Sequence, residues 1–479
     1  MYRDSVSERR ERADWLYRAV RAAVALAMRI FFRRIAVRGA ERIPRGGPVI
    51  LAANHPSGLI DTFSIALATP RKVNFTARST LFDSPRMARL LAQLGVIPVY
   101  RRMDAAGEMG RNVEVFRHCY ELLERGGVIG IFPEGITHVD PQVKAMKTGA
   151  VRIGLEAEAR REFALGVQVV PVGLNFSHLG TFRSDLTVRV GEPLRLAEHA
   201  AAYAADPGAT ARRVTDELRV RIENLVVHLE DLSQQPIVEA VYGLFGRDWV
   251  RDPWILPALE DEATREIEVK KRVVTAIEYY ARFQPAWALD LHRRIEGYRA
   301  ALARLRVTDE ALRRPSGALP LLAETLPTAL IGVVGAPLAL FGWLINALPQ
   351  LVTGGIARRF AANPTQLTAW KMWIGLQAFA ICYGAVVMGL HSWLGLGRLG
   401  LLAAFLLLPA TGWLATRYFE RLREYRENVR VTYLQLLRRV ELQELRVRRE
   451  RLARDRDRIQ RFFFAEEKPR VPGVNPPAR

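Results

Sequence analysis

Between Thr325 and Thr416 the chain carries only four charged residues, Arg358, Arg359, Lys371 and Arg398. Apolar sequence of that length must be covered by protein or by lipid, and its composition is that of a membrane region. A helix crossing a hydrocarbon core of about 30 Å needs about 20 residues. The run from Thr325 to Ala357 is long enough, but Pro327, Pro337 and Pro349 interrupt it, which predicts a re-entrant or broken hairpin. The runs 372–390 and 394–416 fit clean spans joined by a turn around His391 to Gly397. The other reading of these runs is a buried helical pair in a soluble core.

Charge orients this region. Over 479 residues there are 70 Lys and Arg against 50 Asp and Glu, a formal net charge of +20. The segments before 325, the 353–371 connection and the tail after 416 are positive, whereas the 391–398 turn holds only Arg398. The positive-inside rule then puts both ends of the last hairpin, and with them the mixed domain that precedes the apolar region, on the cytoplasmic face. That arrangement requires 325–357 to cross not at all or twice. A basic excess suits nucleic acid, an anionic membrane surface or anionic substrates. No zinc-ligand spacing, no aromatic motif on paired strands and no basic region feeding a zipper is present, so nucleic acid is not an expected partner and membrane lipids are. Cys119 and Cys382 lie far apart and make no disulfide framework.

The chain divides by pattern into five segments: a helix-bearing stretch 1–35, a mixed domain 36–206, a helical accessory region 207–316, the membrane helices 317–416 and a basic helical tail 417–479. In residues 14–35 helical spacing puts Arg18, Arg21, Arg29 and Arg33 on one face and Leu16, Val20, Ala23, Val24, Ile30 and Phe31 on the other. Such a helix either lies in the plane of an anionic leaflet or packs on the next domain with a solvated basic face. From 36 to about 200, candidate strands 49–53, 73–77, 96–100, 128–132 and 168–173 alternate with candidate helices 61–68, 83–94, 108–125 and 148–160. That alternation predicts an α/β sheet flanked by helices. The tail 417–465 reads as a solvated or coiled-coil helix, or as a polybasic helix held to anionic lipid.

The chemistry-bearing residues lie in the mixed domain. In Asn54-His55-Pro56-Ser57-Gly58-Leu59-Ile60-Asp61 a histidine leaves a buried strand through a Pro/Gly turn, and an aspartate opens the next helix. This pair suits general-base removal of a hydroxyl proton, with the carboxylate fixing the imidazole tautomer. Asp61 reads equally as a helix N-cap. Gly95 to Arg102 is a strand ending in Arg101 and Arg102, suited to gripping a phosphate. Phe132-Pro133-Glu134-Gly135 is a strand end whose glycine lets backbone approach a ligand. Val169 to Leu174 is a buried run with a proline where a central strand rarely has one. His138 and Asp140 read as a surface loop pair, and Ser57 lacks the Gly-x-Ser-x-Gly elbow of a nucleophile.

In this order and spacing the four segments resemble the glycerophospholipid acyltransferase superfamily. Its first block looks like Asn54 to Asp61, its second like Gly95 to Arg101, its third like Phe132 to Gly135 and its fourth like Val169 to Gly173. A Lys-x-Gly segment follows as Lys147-Thr148-Gly149. Five residues separate His55 from Asp61 here, one more than in the commonest form. Inside a helix that extra residue would swing the aspartate about 100° away, so it must lie in the Pro56-Ser57-Gly58 turn. The resemblance implies an acyltransferase-like sheet and acyl transfer from acyl-CoA or acyl-carrier protein to a phosphorylated glycerol acceptor. It implies lysophosphatidate as the acceptor, with glycerol 3-phosphate or dihydroxyacetone phosphate as the alternative. A non-catalytic lipid-binding protein of the same fold is the rival class. On this resemblance His55 is the base and Asp61 orients it. Arg101 holds the acceptor phosphate, Glu134 and Gly135 complete that site, and Arg102 and Lys147 are further candidates for the anion. No metal or other cofactor is expected, since the eight histidines show no ligand spacing.

Overall fold

The computed structural model describes residues 2–100, 110, 112–252, 254–256, 261–313, 318–437 and 439–463. The chain forms two compact units, Met1–Glu230 with Arg359–Trp373, and Asp231–Arg358 with Ile374–Arg479.

The first unit runs α1 (Tyr2–Phe31), β1 (Arg34–Arg38), β2 (Val49–Ala53), α2 (Leu59–Ala68), β3 (Val73–Arg78), α3 (Pro85–Gln93), β4 (Ile97–Val99) and α4 (Asn112–Glu124). It continues with β5 (Val128–Ile131), α5 (Gly149–Ala159), β6 (Gln168–Phe176), β7 (Asp185–Val190), β8 (Leu194–Arg195), α6 (Ala200–Ala205) and α7 (Pro207–Glu223). The described strands form one mixed sheet in the order β1-β7-β6-β2-β5-β3-β4, with β8 beside β6. β2, β3, β4 and β5 pair in parallel, β6 joins β2 in parallel, and β7 and β8 turn antiparallel against β6.

Central strand β2, Val-Ile-Leu-Ala-Ala, is buried throughout, because helices cover both sheet faces and leave no solvated side. Alternation sends Val49, Leu51 and Ala53 into a core with Val24, Ala27 and Met28 of α1 and Ile60 and Ile65 of α2. Ile50 and Ala52 enter the opposite core with Val115, Cys119 and Leu123 of α4, Leu155 of α5 and Leu218 of α7. Helix α1 is thus a layer of this unit, held by part of the apolar face its sequence predicts. Ala23 and Ile30, expected on that face, are exposed.

Pro171 sits in a central strand without losing a ladder bond that matters. β6 pairs with β8 through Gln168 and Val169 and with β7 from Val172 onward, so the proline falls at the change of partner. Its carbonyl accepts from Gly191 N at 2.9 Å. The sequence reading did not find β1, β7 and β8. β1 is five residues with arginine at both ends, and it directly follows a helical pattern that hides its start.

In the second unit α8 (Gln235–Arg251), α9 (Glu262–Phe283) and α10 (Pro285–Leu305) pack together, and α11 (Asp309–Arg313) follows. The apolar region is α12 (Ala318–Phe360), α13 (Leu367–Leu394) and α14 (Arg398–Leu437), with α15 (Arg439–Phe463) closing the chain. Three stretches, Pro327–Phe360, Pro364–Leu394 and Arg398–Gln435, are long and apolar enough to cross a membrane. The break expected at Pro327, Pro337 and Pro349 is absent, for α12 runs unbroken through all three. Each proline removes one intrahelical bond, leaving the carbonyls of Ala323, Val333 and Ile345 without the donor four residues on.

The tail is not a freely solvated charge run. α15 packs on α9 and α10, burying Leu442, Leu445, Leu452 and Ile459 at spacings of three and seven, which is the seam of a coiled-coil-like contact. Arg294 Nη1 lies 2.5 Å from Asp455, and Arg449 Nε 2.9 Å from Asp309.

Candidate active site

Parallel pairing of β2 with β5, in register from Val49 opposite Val128 to Ala52 opposite Ile131, delivers both strand exits to one end of the sheet. Ligand sites of such sheets lie beyond the carboxyl ends of the strands. Here the β2 exit carries Asn54 and His55, and the β5 exit carries Phe132 to Gly135.

Asn54 extends the sheet by one side chain. Its Nδ2 donates to Leu174 O at 3.1 Å and its Oδ1 accepts from Leu174 N at 2.8 Å, so the amide mimics one more residue of strand pairing with β6. The chain then turns through Pro56, Ser57 and Gly58. Gly58 sits at φ 57° and precedes the first residue of α2, a backbone conformation that favours glycine. The turn absorbs the extra residue, and Asp61 stays in the first helical turn.

The result is a close pair. His55 Nδ1 lies 2.9 Å from Asp61 Oδ2, and that same oxygen accepts from Ser57 N at 2.7 Å. The carboxylate is fully buried, and burial raises the pKa of Asp61 while the contact with His55 lowers it. A carboxylate on Nδ1 directs that nitrogen to carry its proton and leaves Nε2 with the lone pair. No described protein group engages Nε2. The imidazole stacks on Phe132 with centroids 3.9 Å apart and planes at 13°, and Phe132 stacks in turn on Phe75 at 6.4 Å. The ring is therefore fixed in tilt as well as in tautomer.

Glu134 does not face outward. Its Oε1 accepts from His55 N at 3.2 Å, and its Oε2 accepts from Lys144 N at 2.9 Å and meets His138 Nε2 at 2.5 Å. His138 N also donates to His55 O at 3.3 Å. This carboxylate, buried like Asp61, ties the loop after β5 to the backbone of the base itself. The reading of His138 and Asp140 as one surface pair does not hold. The His138 side chain is only 15% exposed and lies on Glu134. Asp140 pairs with Lys144 at 2.8 Å, and that contact lowers its pKa. The signal for His138 was its place four residues beyond a carboxylate in the same loop.

Gly135 has φ 69°, and a Cβ built there would lie 2.7 Å from Lys147 Nζ. The exposed lysine thus lies across a glycine that must stay bare, with its backbone N bonded to Pro133 O at 2.8 Å. Arg101 and Arg102 lie outside the described residues; β4, which leads toward them, ends at Val99 on the same side of the sheet, three strands from β2. Ser57 is fully buried, and Cys119 is buried with its thiol pushed up to about 12, so neither is placed to act as a nucleophile. Among the described residues no group of three His, Cys, Asp or Glu could hold a metal ion.

Residues 34–175 match the family model described as Acyltransferase. Glycerol-3-phosphate O-acyltransferase 2 of Saccharomyces cerevisiae is 27% identical over 164 residues, which is 34% of this chain and 21% of the relative. The chloroplastic 1-acyl-sn-glycerol-3-phosphate acyltransferase of Arabidopsis thaliana is 28% identical over 144 residues, 30% of this chain and 36% of the relative. The match therefore spans little more than a third of either curated relative at most. A 1-acyl-sn-glycerophosphate acyltransferase crystal structure from Thermotoga maritima is similar at 22% identity and a TM-score of 0.31, covering 44% of this chain and 82% of that chain.

Proposed function

We propose, from the acyltransferase domain that this chain carries over residues 34–175, that it moves a fatty acyl group from acyl-CoA or acyl-carrier protein to lysophosphatidate, giving phosphatidate. The observation that carries the reading is the buried His55–Asp61 contact of 2.9 Å with Nε2 left unengaged. His55 Nε2 takes the proton of the acceptor hydroxyl as its oxygen attacks the thioester carbonyl. The thiolate leaves, and the proton passes from the imidazolium to the departing sulfur. Asp61 holds the tautomer and offsets the positive charge that forms on the ring. No covalent enzyme intermediate is needed, because both reactants are bound together and proximity supplies much of the rate.

Arg101 holds the acceptor phosphate in this reading, and Arg102 and Lys147 add positive charge beside it. Gly135 lets the acceptor approach the backbone close to Lys147. Glu134 is better read as a positioning residue than as a phosphate ligand, since protein donors occupy both its oxygens. Glycerol 3-phosphate is the second acceptor to test, favoured by the likeness to two yeast glycerol-3-phosphate O-acyltransferases. The deciding assay gives purified full-length protein and its His55→Ala variant a labelled long-chain acyl-CoA with lysophosphatidate, glycerol 3-phosphate, dihydroxyacetone phosphate or no acceptor. A product in one tube that disappears in the variant supports the reading and names the acceptor. Product formation unchanged by the variant defeats it.

The catalytic unit is proposed to face the cytoplasm, and connectivity supports a specific path through the membrane. α15 packs back on α9 and α10, so the chain enters the apolar region at Ala318 and leaves after Leu437 on one face. Three full crossings would put those points on opposite faces. Residues Arg359–Trp373 belong to the first unit, where Met372 is buried and Lys371 Nζ donates to Gly180 O at 2.6 Å. No candidate span lies before Ala318 among the described residues, so both ends of α12 stay on that same face. α13 and the first half of α14 then form the crossing hairpin, with Arg398 on the far side and Arg358, Arg359 and Lys371 on the near side. In sealed vesicles of the cysteine-free protein, Ala362→Cys and Leu396→Cys should react with an impermeant maleimide from opposite faces. Labelling of both from one face overturns this path.

A further inference from the structure

Along α1 the positions Arg18, Arg21, Ala22, Ala25 and Arg29 fall on one helical stripe, which runs on into Phe32 and Arg33. The stripe borders a cleft of about 500 Å³. Guanidiniums of Arg18, Arg21, Arg29 and Arg33 form its rim, and Phe32, Ile35, Val37 and Leu67 form an apolar floor. Ala22 and Ala25 leave the space between them open, where longer side chains would close it.

The four arginines are not equivalent. Arg33 grips Asp185 as a fork, Nε to Oδ1 at 2.9 Å and Nη2 to Oδ2 at 2.5 Å, and this contact holds the Asp185 pKa below the usual carboxylate value. Arg34 adds a second cation to the same carboxylate at 3.4 Å, so Asp185 has no charge to spare for the rest of the rim. Arg21 donates Nε to Ala66 O at 3.1 Å and Nη2 to Thr69 O at 3.0 Å, capping the C-terminal end of α2. Arg29 is exposed and has no ion-pair or hydrogen-bond partner among the described residues. The same helix exposes Trp15 at 65%, Leu26 at 61% and Ile30 at 46%, an unusual amount of apolar surface for a helix whose other side is already packed.

We propose that this cleft binds one acidic glycerophospholipid of the membrane surface. The phosphate sits among the guanidiniums of Arg18, Arg21 and Arg29, where charge-assisted bonds are strongest. One acyl chain lies on Phe32, Ile35, Val37 and Leu67, and Trp15, Leu26 and Ile30 meet the surrounding lipid. Charge complementarity selects an anionic headgroup, and the apolar floor selects an amphiphile over a free anion. The site is separate from His55 and does not depend on the acyl-transfer reading.

The test is calorimetric titration of the full-length protein in neutral detergent with dihexanoyl-phosphatidylglycerol, and with the phosphatidylcholine of equal chain length. Two variants probe the two halves of the cleft: Arg29→Gln removes a charge that holds no fold contact, and Ala25→Leu fills the space between the rim arginines at constant charge. Saturable binding of phosphatidylglycerol, tighter than phosphatidylcholine and weakened about fivefold by Arg29→Gln, is the expected result. Ala25→Leu should weaken both lipids. Equal affinity in wild type and both variants, or no preference for phosphatidylglycerol, overturns the site. Competition by millimolar inorganic phosphate alone, or by acyl-CoA in place of lipid, reassigns the cleft to a free anion or to the acyl donor and also overturns the proposal.

Discussion

The sheet unit and the apolar helices solve opposite problems. In the sheet unit, strand period fixes where each side chain points, so Ile50 and Leu51 enter different cores one residue apart. The site then follows from which strands are neighbours. In the apolar region, composition fixes the surroundings of α12 to α14 but not their direction or their number of crossings. The proposed direction there rests on segments outside the apolar helices, on α15 returning to α9 and α10 and on residues 359–373 belonging to the first unit. Hydropathy counts candidate spans, and which of them cross has to be argued from the polar segments at their ends.

The largest effect is expected at the sheet end. His55→Ala should lower acyl transfer by about a hundred- to ten-thousandfold, with the protein folded and membrane-bound as before. Its ring lines no large core, but its loss takes a partner from the buried Asp61, so the unfolding midpoint should fall by the few degrees that about 1–3 kcal/mol amounts to while the protein stays folded at assay temperature. Full retained turnover would show that the buried pair is architecture.

The next effect is smaller and isolates the tie between the two loops. His138→Ala leaves the buried Glu134 short of one partner and frees the backbone around His55. A loss of about tenfold in kcat, with KM for both substrates unchanged, is expected when a buried charged group loses a hydrogen bond. His138→Gln can place an amide nitrogen near the Nε2 position and should restore most of the rate, whereas His138→Asn is too short to reach. Equal losses in the Gln, Asn and Ala variants would mean that bulk, and not the bond to Glu134, is what matters.

These two residues mark how far the sequence could be read. His55 and Asp61 lie within one turn and the start of one helix, so local spacing made them a candidate pair, but the same spacing fitted Asp61 as a helix N-cap and the family resemblance was needed to choose. β2, β5 and β6 were visible as short apolar runs because helices on both faces leave them no polar side, whereas β3 was visible by alternation, with Val73 and Phe75 buried and Asn74 and Thr76 half-buried. The inward direction of Glu134 was not visible. A carboxylate between a proline and a glycine fits either a ligand site or a buried tie, and only the adjacency of β2 and β5 decides. β7, Asp-Leu-Thr-Val-Arg-Val, alternates polar and apolar residues and escaped because it holds no continuous apolar run; the sheet nonetheless covers Asp185 and Thr187 of its polar side, with Asp185 paired to arginines. The three prolines of α12 do not end the helix, so of the two arrangements they suggested, a break and a re-entry, only the break is absent.

The smallest expected effect tests the cost of the buried carboxylate. Burial raises the folded pKa of Asp61 above its unfolded value near 3.8, so the folded state binds that proton more tightly than the unfolded chain does. Ionised Asp61 therefore costs nothing below the unfolded value. The cost grows as pH rises through the raised folded value and is constant above it. Asp61→Asn removes the charge while its amide oxygen can still accept from His55 Nδ1. At pH 7 the unfolding midpoint of the first unit should be higher than in wild type by about 2–4 °C, which is what roughly 1 kcal/mol amounts to in a unit of that size. The gap should close as pH falls toward 3.8. The same variant should turn over far more slowly, because a neutral amide no longer offsets the charge that forms on the imidazole. A midpoint below wild type at pH 7 would mean that the bonds from His55 and Ser57 outweigh burial, and that Asp61 holds the turn together as well as orienting the base.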